Sequence, residues 1–429
     1  MKVEFPYQGY ENIPPVEVPD ENLMGVYSPI AMEVDEKTVL EQGFLHPIGA
    51  PRLRDAVHGK KSVLILVDDG TRSTPVARFL PLVLQELSAG GIQKDQIAFL
   101  TGQGTHRKMT DAELKHKFGE AFGKYQVFQH DWKAGPSEFH SFGKTKDGTP
   151  VTANKLLTKY EYIMGLGGIV PHRVKGFSGG AKIAFPGVAG KEMMERNQWE
   201  ASMQMSETVM GFPENSMRLR MEEAAEMAGL RYIVNVVGDV TGKIVGCFCG
   251  DVVKAHREGC KLSRKVTAAH MPGRADIVLI DSYPADRDFW QSAKGLYSGT
   301  MAVKEGGTIL MVSPNPEGVA SNHPNLMRIG YKPHAEIVQL VQSGKAEDLV
   351  GVAILADTVQ IIDHADCIIA TPGFSKQDAE KIGLRWAANG QDGLKMAFEK
   401  QGKKAKVAVL RHGGHILPLA DDKAVAEHQ

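Results

Sequence analysis

Hydrophobic positions along this chain fall into short runs. Glycine-containing polar turns and amphipathic stretches separate them, a rhythm that predicts strands and helices in alternation. The first clear case is KSVLILVDDGTRSTP, Lys61 to Pro75. Ser62 to Val67 is an apolar, β-branched run of the kind buried on both faces of a sheet. It breaks into an acidic turn containing a glycine, and Pro75 suits the first turn of a helix. VARFLPLVLQELSAGG reads as that helix, closed by Gly90 and Gly91. Further strands are expected in QIAFLTGQGTH, at Tyr125 to Phe128 and in YIMGLGGIVPH, with a polar helix near Asp111 to Phe118. The glycine-rich stretch Arg173 to Gly190 opens into a helix near Lys191. A long helix, Met217 to Gly229, precedes the strand RYIVNVVG, and Asp251 to Thr267 reads as a polar helix leading into a linker.

At HMPGRADIVLIDS the pattern restarts with a strand at Ala275 to Ile280. The same grammar follows through a helix reaching Lys294, GTILMVSP, a helix near Ala335 to Ser343, DCIIATPG and KVAVLRHGG. The fold class is therefore α/β, with some parallel sheet. A chain of 429 residues exceeds what one core usually serves. Two α/β domains are expected, 1–268 and 275–410, with the boundary near Ala269 to Arg274. A C-terminal tail, 411–429, can pack back on the N-terminal domain.

Composition narrows the class. With 42% apolar and 24% charged residues the chain reads as an ordinary globular enzyme, and a formal net charge of −1 gives no global field to gather nucleic acid or anionic lipid. Cys247, Cys249, Cys260 and Cys367 are too few for a disulfide framework. Cys247 and Cys249 form C-x-C with no second pair at zinc-site spacing. The N-terminus, MKVEFPYQGYENIPP, lacks the basic and apolar regions of a signal peptide, and no window approaches the ~18 apolar residues of a membrane span. A cytoplasmic enzyme is the expectation.

Candidate chemistry collects just after apolar runs, where open α/β sheets bind ligands. Asp68, Asp69, Thr71 and Arg72 crowd the turn after the first strand, and a hydroxyl, backbone N–H groups and a guanidinium fork suit an anion. The same residues equally serve as a solvated turn with a helix cap. His106 follows Gly102 and Gly104, and His172 follows Pro171. A histidine titrates near neutrality, and two at the ends of different strands suit a pair of bases on either side of one carbon. Lys182 lies between a glycine run and an apolar run in FSGGAKIAFPG, where desolvation can make it a nucleophile, unless it merely snorkels over a helix start. Neither the P-loop spacing nor G-x-G-x-x-G is present here. In the second half, Gln291 and Lys294 are three apart on one helix face, and Trp290 lies four before Lys294. An amide and an ammonium there suit a carboxylate or a developing keto oxygen beside an apolar wall.

VDDGTRSTP, GQGTHRKMT, GGIVPHRVKGFSGGAKIAFPGVAG, NSMRLRMEEAAEMAGLRYIVNVVG, GDVVKAHREGC and YPADRDFWQSAKG together resemble successive motifs of the nickel-pincer-nucleotide racemase and epimerase family typified by lactate racemase. The closing VLRHGGHILP resembles it too. The resemblance implies a two-domain enzyme whose cleft holds a nickel-pincer nucleotide, a pyridinium mononucleotide with thioacid arms that bind nickel. Lys182 matches the lysine joined to one arm, and His106 and His172 match the paired bases. Asp69, Thr71, Arg72, Ser178, Gly179 and Gly180 match the cofactor's surroundings, and Arg72, Trp290, Gln291 and Lys294 those of the substrate. The reaction implied is inversion at C2 of a 2-hydroxy acid by proton-coupled hydride transfer. A histidine takes the hydroxyl proton, the C2 hydride moves to the cofactor, and the keto acid reorients before the hydride returns. Lys294 then has a catalytic part, holding the oxygen.

One position departs from the family. Its usual histidine ligand to nickel, sixteen residues after the lysine, is here Gln198, and no histidine lies between His172 and His256. Neutral amide oxygen is a poor nickel donor. Trp290, where tyrosine is common, alters the pocket wall. The expected partners are a small 2-hydroxy acid and the enzymes that build the cofactor, with neither nucleic acid nor membrane; a homo-oligomer stays open. The alternatives are a nickel-free hydro-lyase or dehydrogenase on the same fold, or a non-catalytic nucleotide or organic-acid binding protein.

Overall fold

Apolar runs without a polar face must be covered on both sides, and the computed structural model places them at the centres of two largely parallel six-stranded sheets. It describes residues 1–7, 9–10, 12–204 and 206–420. The expected tail at 411–429 thus lies outside the described residues from 421 onward. The chain divides into two compact units that do not follow chain order: Ala31–Asn197 with Gly211–Val266, and Met1–Ile30 with Gln198–Met210 and everything from Thr267.

In the first unit the strands are β1 (Val63–Asp68), β2 (Ile97–Gly102), β3 (Gln126–Gln129), β4 (Tyr162–Gly168), β5 (Leu230–Gly238) and β6 (Ile244–Gly250). Their order across the sheet is β6-β5-β4-β1-β2-β3. Every neighbouring pair is parallel except β5 with β6. The chain leaves β1 in one direction to β2 and β3, then returns to its other side as β4. The switch point therefore falls between β1 and β4, where parallel sheets open a crevice at their carboxyl ends. Helix α1 (Val76–Ala89) turns Val76, Phe79, Leu80, Val83 and Leu87 onto the same core as Val63, Ile65 and Val67 of β1. Burying each such side chain contributes about 1.5–3 kcal/mol, so the turn between β1 and α1 has a rigid base. The other helices that matter below are α2 (Asp111–Phe118), α3 (Lys191–Ser202), α4 (Ser216–Met227) and α5 (Lys254–Thr267).

The second unit repeats the plan with β7 (Ala275–Asp281), β8 (Val303–Val312), β9 (Asp366–Ala370), β10 (Arg385–Ala387) and β11 (Val407–Leu410). An N-terminal strand, Leu23–Tyr27, pairs parallel with β11, giving the order β10-β9-β8-β7-β11-N-terminal strand. A separate ladder joins Ala268–Met271 to Leu417–Ala420. Helix α6 (Phe289–Ala302) follows β7, and α7 (Leu349–His364) precedes β9. Helix α7 buries every position from Val350 to Val359. It has no polar face from which a helical period could be read, which is why it has no counterpart among the expected elements. The hairpin Phe139–Lys144 with Pro150–Asn154 and the antiparallel β6 are likewise additions. All four cysteines are free thiols. Among the described residues no helix is long and apolar enough to cross a membrane.

Candidate active site

The turn after β1 is folded by its own side chains. Asp69, buried, accepts from the Thr71 hydroxyl (2.7 Å) and the Thr71 amide (3.2 Å) on Oδ1. Its Oδ2 lies 2.6 Å from His106 Nδ1, which reaches it from the loop after β2. Burial pushes the Asp69 carboxyl up, but His106, Arg72 and the Thr71 hydroxyl outweigh it and hold the group well below the usual carboxylate range. Asp68 looks the other way. It accepts from Thr74 Oγ1 (2.5 Å) and from the ammonium of Lys117 (2.9 Å), which is buried at the end of α2. The same ammonium donates to the carbonyls of Arg72 (3.0 Å) and Thr74 (3.3 Å), so the backbone that presents Arg72 is tied down at several points.

His106 is brought to Asp69 by a tight turn. Gly104 takes φ +56°, a left-handed conformation that disfavours side chains, and the His106 amide donates to Gln103 O at 2.9 Å. His172 sits in a two-residue ladder, Pro171–His172 against Gly176–Phe177, just beyond β4. Its Nδ1 accepts the Val174 amide at 3.1 Å. Both rings are half-buried.

The glycine run completes the first unit's cluster. Ser178 clips it to the end of β4, its hydroxyl donating to Gly168 O (2.6 Å) and accepting the Val170 amide (2.9 Å). Gly179 and Gly180 take φ +74° and +58°, and a Cβ on them would come within 2.7 Å of Asn235 Oδ1 and 2.8 Å of the His256 ring, respectively. Asn235, on β5, accepts the Gly180 amide at 2.7 Å. His256, on α5, donates from Nε2 to Ser178 O at 2.8 Å. Arg218, on α4 and wholly buried, gives its guanidinium to the carbonyls of Lys175, Phe177 and Gly179. This run is thus braced from β5, α4 and α5 at once.

Lys182 stands one residue past Ala181, in the single turn Gly180–Ile183 that these braces hold. Burial depresses its amine first. Arg72 and Arg218 add to the effect against the opposing charges of Asp69 and Asp68, and the pKa falls to about 7. Its side chain is partly accessible. An amine whose pKa is lowered toward neutrality is the kind of lysine that forms a covalent bond.

In the second unit, Asp288 caps α6 by accepting the Gln291 amide at 2.8 Å. Burial raises its carboxyl to about 6. On the next turn Lys294 Nζ donates to Gln291 Oε1 at 2.7 Å, so the amide and ammonium expected to act together do touch. Trp290 stacks on the buried His323, ring centroids 4.1 Å apart and planes 14° apart, and His323 Nδ1 lies 3.3 Å from Asp348 Oδ2. Gln198 is half-buried on α3. The compact units change over within that helix, Asn197 falling to one and Gln198 to the other. Among the described residues no three His, Cys, Asp or Glu side chains gather as metal donors.

The structure therefore brings Asp69, Thr71, Arg72, His106 and the Lys182 turn to one sheet end, and Trp290, Gln291 and Lys294 to one helix. Sequence reasoning did not find the supports Lys117, Arg218, Asn235 and His256. Asn235 alone carried a signal, a polar residue inside the apolar run RYIVNVVG.

Comparison with known proteins agrees with this plan. Residues 10–211 match the lactate racemase N-terminal domain and residues 271–417 the lactate racemase C-terminal domain. Lactate racemase of Thermoanaerobacterium thermosaccharolyticum is 32% identical over 323 residues, 74% of this chain and 75% of that protein. The enzyme of Lactiplantibacillus plantarum is 26% identical over 427 residues, covering 97% of this chain and 99% of that one. The apoprotein structure of the Thermoanaerobacterium enzyme superposes with a TM-score of 0.86 at 28% identity, across 98% of this chain and 100% of that one. A Thermotoga maritima protein shares the fold at a TM-score of 0.69 and 20% identity, over 90% of this chain and 98% of its own. With both domain models matched in order and these relatives similar over most of their length, the chain belongs to the lactate racemase family of isomerases.

Proposed function

We propose that this protein inverts the C2 centre of a small 2-hydroxy acid, lactate being the first candidate because the relatives are named for it. The cofactor we assign is a nickel-pincer nucleotide joined through Lys182. One observation carries the reading: a buried amine lowered to about 7, held by a braced glycine turn at the switch point of a parallel sheet and close enough to Arg72 and Asp69 to feel their charges. The fit is good for the organic part of such a group. Lys182 would carry the covalent link, and the Arg72 guanidinium would face its anionic parts. The fit for metal is thin on the protein side, since Gln198 offers only an amide. Nickel would rest on the donors of the cofactor itself.

When bound, the group supplies an acceptor for the C2 hydride. The chain's own residues do the rest. His106 takes the hydroxyl proton at Nε2 while Asp69 steadies the ring through Nδ1. His172 serves the opposite face. Lys294, oriented by Gln291, holds the substrate oxygen as it changes between alkoxide and carbonyl. Trp290 forms an apolar wall on the same helix.

Intact-protein mass spectrometry with metal analysis tests this on protein co-expressed with cofactor-building enzymes. A pyridinium mononucleotide adduct on the Lys182 peptide, with about one nickel per chain, supports the reading, and racemisation of lactate or a related acid completes it. An adduct without nickel points to Gln198. Neither adduct nor metal, where a related enzyme loads normally, favours a nickel-free enzyme on this fold.

A further inference from the structure

Strand β6 carries two cysteines that the proposed reaction does not use. Cys247 and Cys249 stand two residues apart, so their side chains leave the same face of the strand, and their sulfurs lie 3.8 Å apart. Cys249 is buried, and burial, with Cys247 beside it, pushes its thiol up. Cys247 is half-buried beside the helix Glu36–Leu45, where Gly43 leaves it room. A Cβ on that glycine would come within 2.8 Å of the Cys247 sulfur. Phe248, between the two cysteines, pairs across the ladder with Asn235 of β5. Asn235 is the side chain that accepts the Gly180 amide at 2.7 Å and so braces the turn that carries Lys182. Just beyond Cys249, Asp251 opens α5 by accepting the Val253 amide (3.1 Å) and the Lys254 amide (2.8 Å), and α5 brings His256 to Ser178. The dithiol thus brackets the backbone position paired with one brace and precedes the helix that carries another.

We propose that Cys247 and Cys249 are an oxidation site: a hydroperoxide closes them into an intrastrand disulfide, and that bond loosens the Lys182 turn. The chemistry takes two steps. Cys247, the more accessible thiol, attacks a peroxide oxygen; the O–O bond breaks, Cys247 becomes a sulfenic acid, and an alcohol or water leaves. The Cys249 sulfur then attacks the Cys247 sulfur, and the S–O bond breaks. The hydroxyl departs with the Cys249 proton as water. Two electrons pass from the thiols to the peroxide. The sulfurs must close from 3.8 Å to about 2.05 Å. Two residues of extended strand span about 6.6 Å, near the upper end of the roughly 4.4–6.8 Å usual between bridged Cα atoms. Strand β6 therefore shortens at Phe248 and pulls on the ladder that seats Asn235. A bond made near that limit is readily reduced again, so the change reverses. Burial is the first cause of the low Lys182 pKa, and a loosened turn that admits water raises the amine toward its ordinary value. Resting on Lys182 as the cofactor's anchor, this places cofactor attachment under oxidative control.

The experiment treats the cofactor-free protein with hydrogen peroxide, alkylates the remaining thiols and maps its tryptic peptides by mass. The expected result is a loss of two hydrogens in the peptide Ile244–Lys254, with Cys260 and Cys367 still alkylated and the bond reopened by dithiothreitol. Acylation of Lys182 at pH 7 by an activated ester should fall about 10-fold on oxidation, the effect of a rise of one pKa unit, and recover with dithiothreitol. Peroxide damage to methionine is not reversed by a thiol reductant alone, so recovery separates the two. In Cys247→Ser the acylation should hold under peroxide. All four cysteines still open to alkylation, oxidation that stops at Cys247, or a disulfide that leaves Lys182 acylation unchanged each overturns the proposal. An equal fall in Cys247→Ser does so too. No cofactor is needed, so a loaded enzyme that racemises no acid would defeat the function proposed above and leave the thiol result standing.

Discussion

The end of the first unit's sheet and the start of α6 in the second unit carry the candidate chemistry in different ways. At the sheet end, the turns that carry the reactive side chains are tied to residues remote in sequence. Asp68 is met by Lys117, Gly180 by Asn235 and Ser178 by His256, across 49, 55 and 78 positions. On α6, Lys294 meets Gln291 only three residues away, a contact that helical spacing itself provides. Dense long-range support is what keeps a lysine amine lowered to about 7. A helix face needs less, because an ammonium and an amide only have to meet an oxygen. The first region should therefore govern whether chemistry occurs at all, and the second how well the substrate is held during it.

Removing the bases tests the first half of that contrast most severely. His106→Gln and His172→Gln should each lower racemisation of the loaded enzyme by about 10²–10⁴-fold, the usual worth of a positioned acid or base, while the Lys182 adduct persists in the mass spectrum. Adduct and activity both surviving would remove the histidines from the mechanism. The next effect needs no cofactor. Acylation of Lys182 in the apoprotein by an activated ester should inflect near pH 7, against about 10.4 for exposed lysines. The sign follows from the cause: burial and the nearby Arg72 and Arg218 disfavour the ammonium, so the neutral amine prevails above the lowered pKa. At pH 7 the reactive fraction is then on the order of 10³ times that of a surface lysine. An inflection near 10 would mean the braced turn leaves the amine ordinary.

On the second region, Lys294→Met should cost about 10²–10³-fold in kcat, the scale of one lost donor to a developing oxyanion. Gln291→Met should act mainly on KM. Equal effects of the two on kcat alone would show that the amide touches the reacting oxygen rather than orienting the ammonium. Arg218→Met returns to the sheet end and probes support without chemistry. It leaves the carbonyls of Lys175, Phe177 and Gly179 buried without their donor, a loss of about 3–9 kcal/mol at 1–3 kcal/mol for each group if none finds water. Thermal unfolding measures the loss, and the Lys182 inflection should move up in the same variant as a positive charge disappears. An unchanged melting temperature would mean the run is braced well enough by Asn235 and His256.

This division also explains what could be read from the sequence. Strands β1, β2, β4, β7 and β11 were legible as apolar runs ended by glycine turns, and the positions of Asp69, His106, His172 and Lys182 followed from them. Gln291 and Lys294 were legible as a contacting pair because a helix converts spacing into proximity. The supports were not. Lys117 lies in DAELKHKF, a stretch that looks like a solvated polar helix, and only the fold turns its ammonium into the core beneath Asp68. Ser178, Gly179 and Gly180 were placed around the cofactor by resemblance alone, and their structural work was not visible. In the structure the serine is spent on Gly168 and Val170, and the glycines make room for Asn235 and His256. The N-terminal strand Leu23–Tyr27 joins a sheet whose neighbouring strand β11 begins at Val407, a pairing no local pattern announces.

The smallest effect, and the one that sharpens the contrast most, concerns Trp290. Its support comes from afar: its ring lies flat on His323, itself beside Asp348 at the start of α7. His323→Ala removes that stack, worth about 0.5–1.5 kcal/mol beyond burial. Asp348 keeps its cap of α7 through the Gly351 amide at 3.0 Å, so the helix should stay formed. The expected result is a red shift in Trp290 emission, read against a Trp290→Tyr control, with KM for the substrate raised by no more than about 10-fold, which is that energy range expressed as binding, and kcat almost unchanged. If kcat falls as it does in Lys294→Met, the stack controls the placement of the ammonium. Region two would then depend on long-range support as much as region one. If neither emission nor KM moves, the tryptophan is ordinary packing, and Gln291 with Lys294 carries the second region alone.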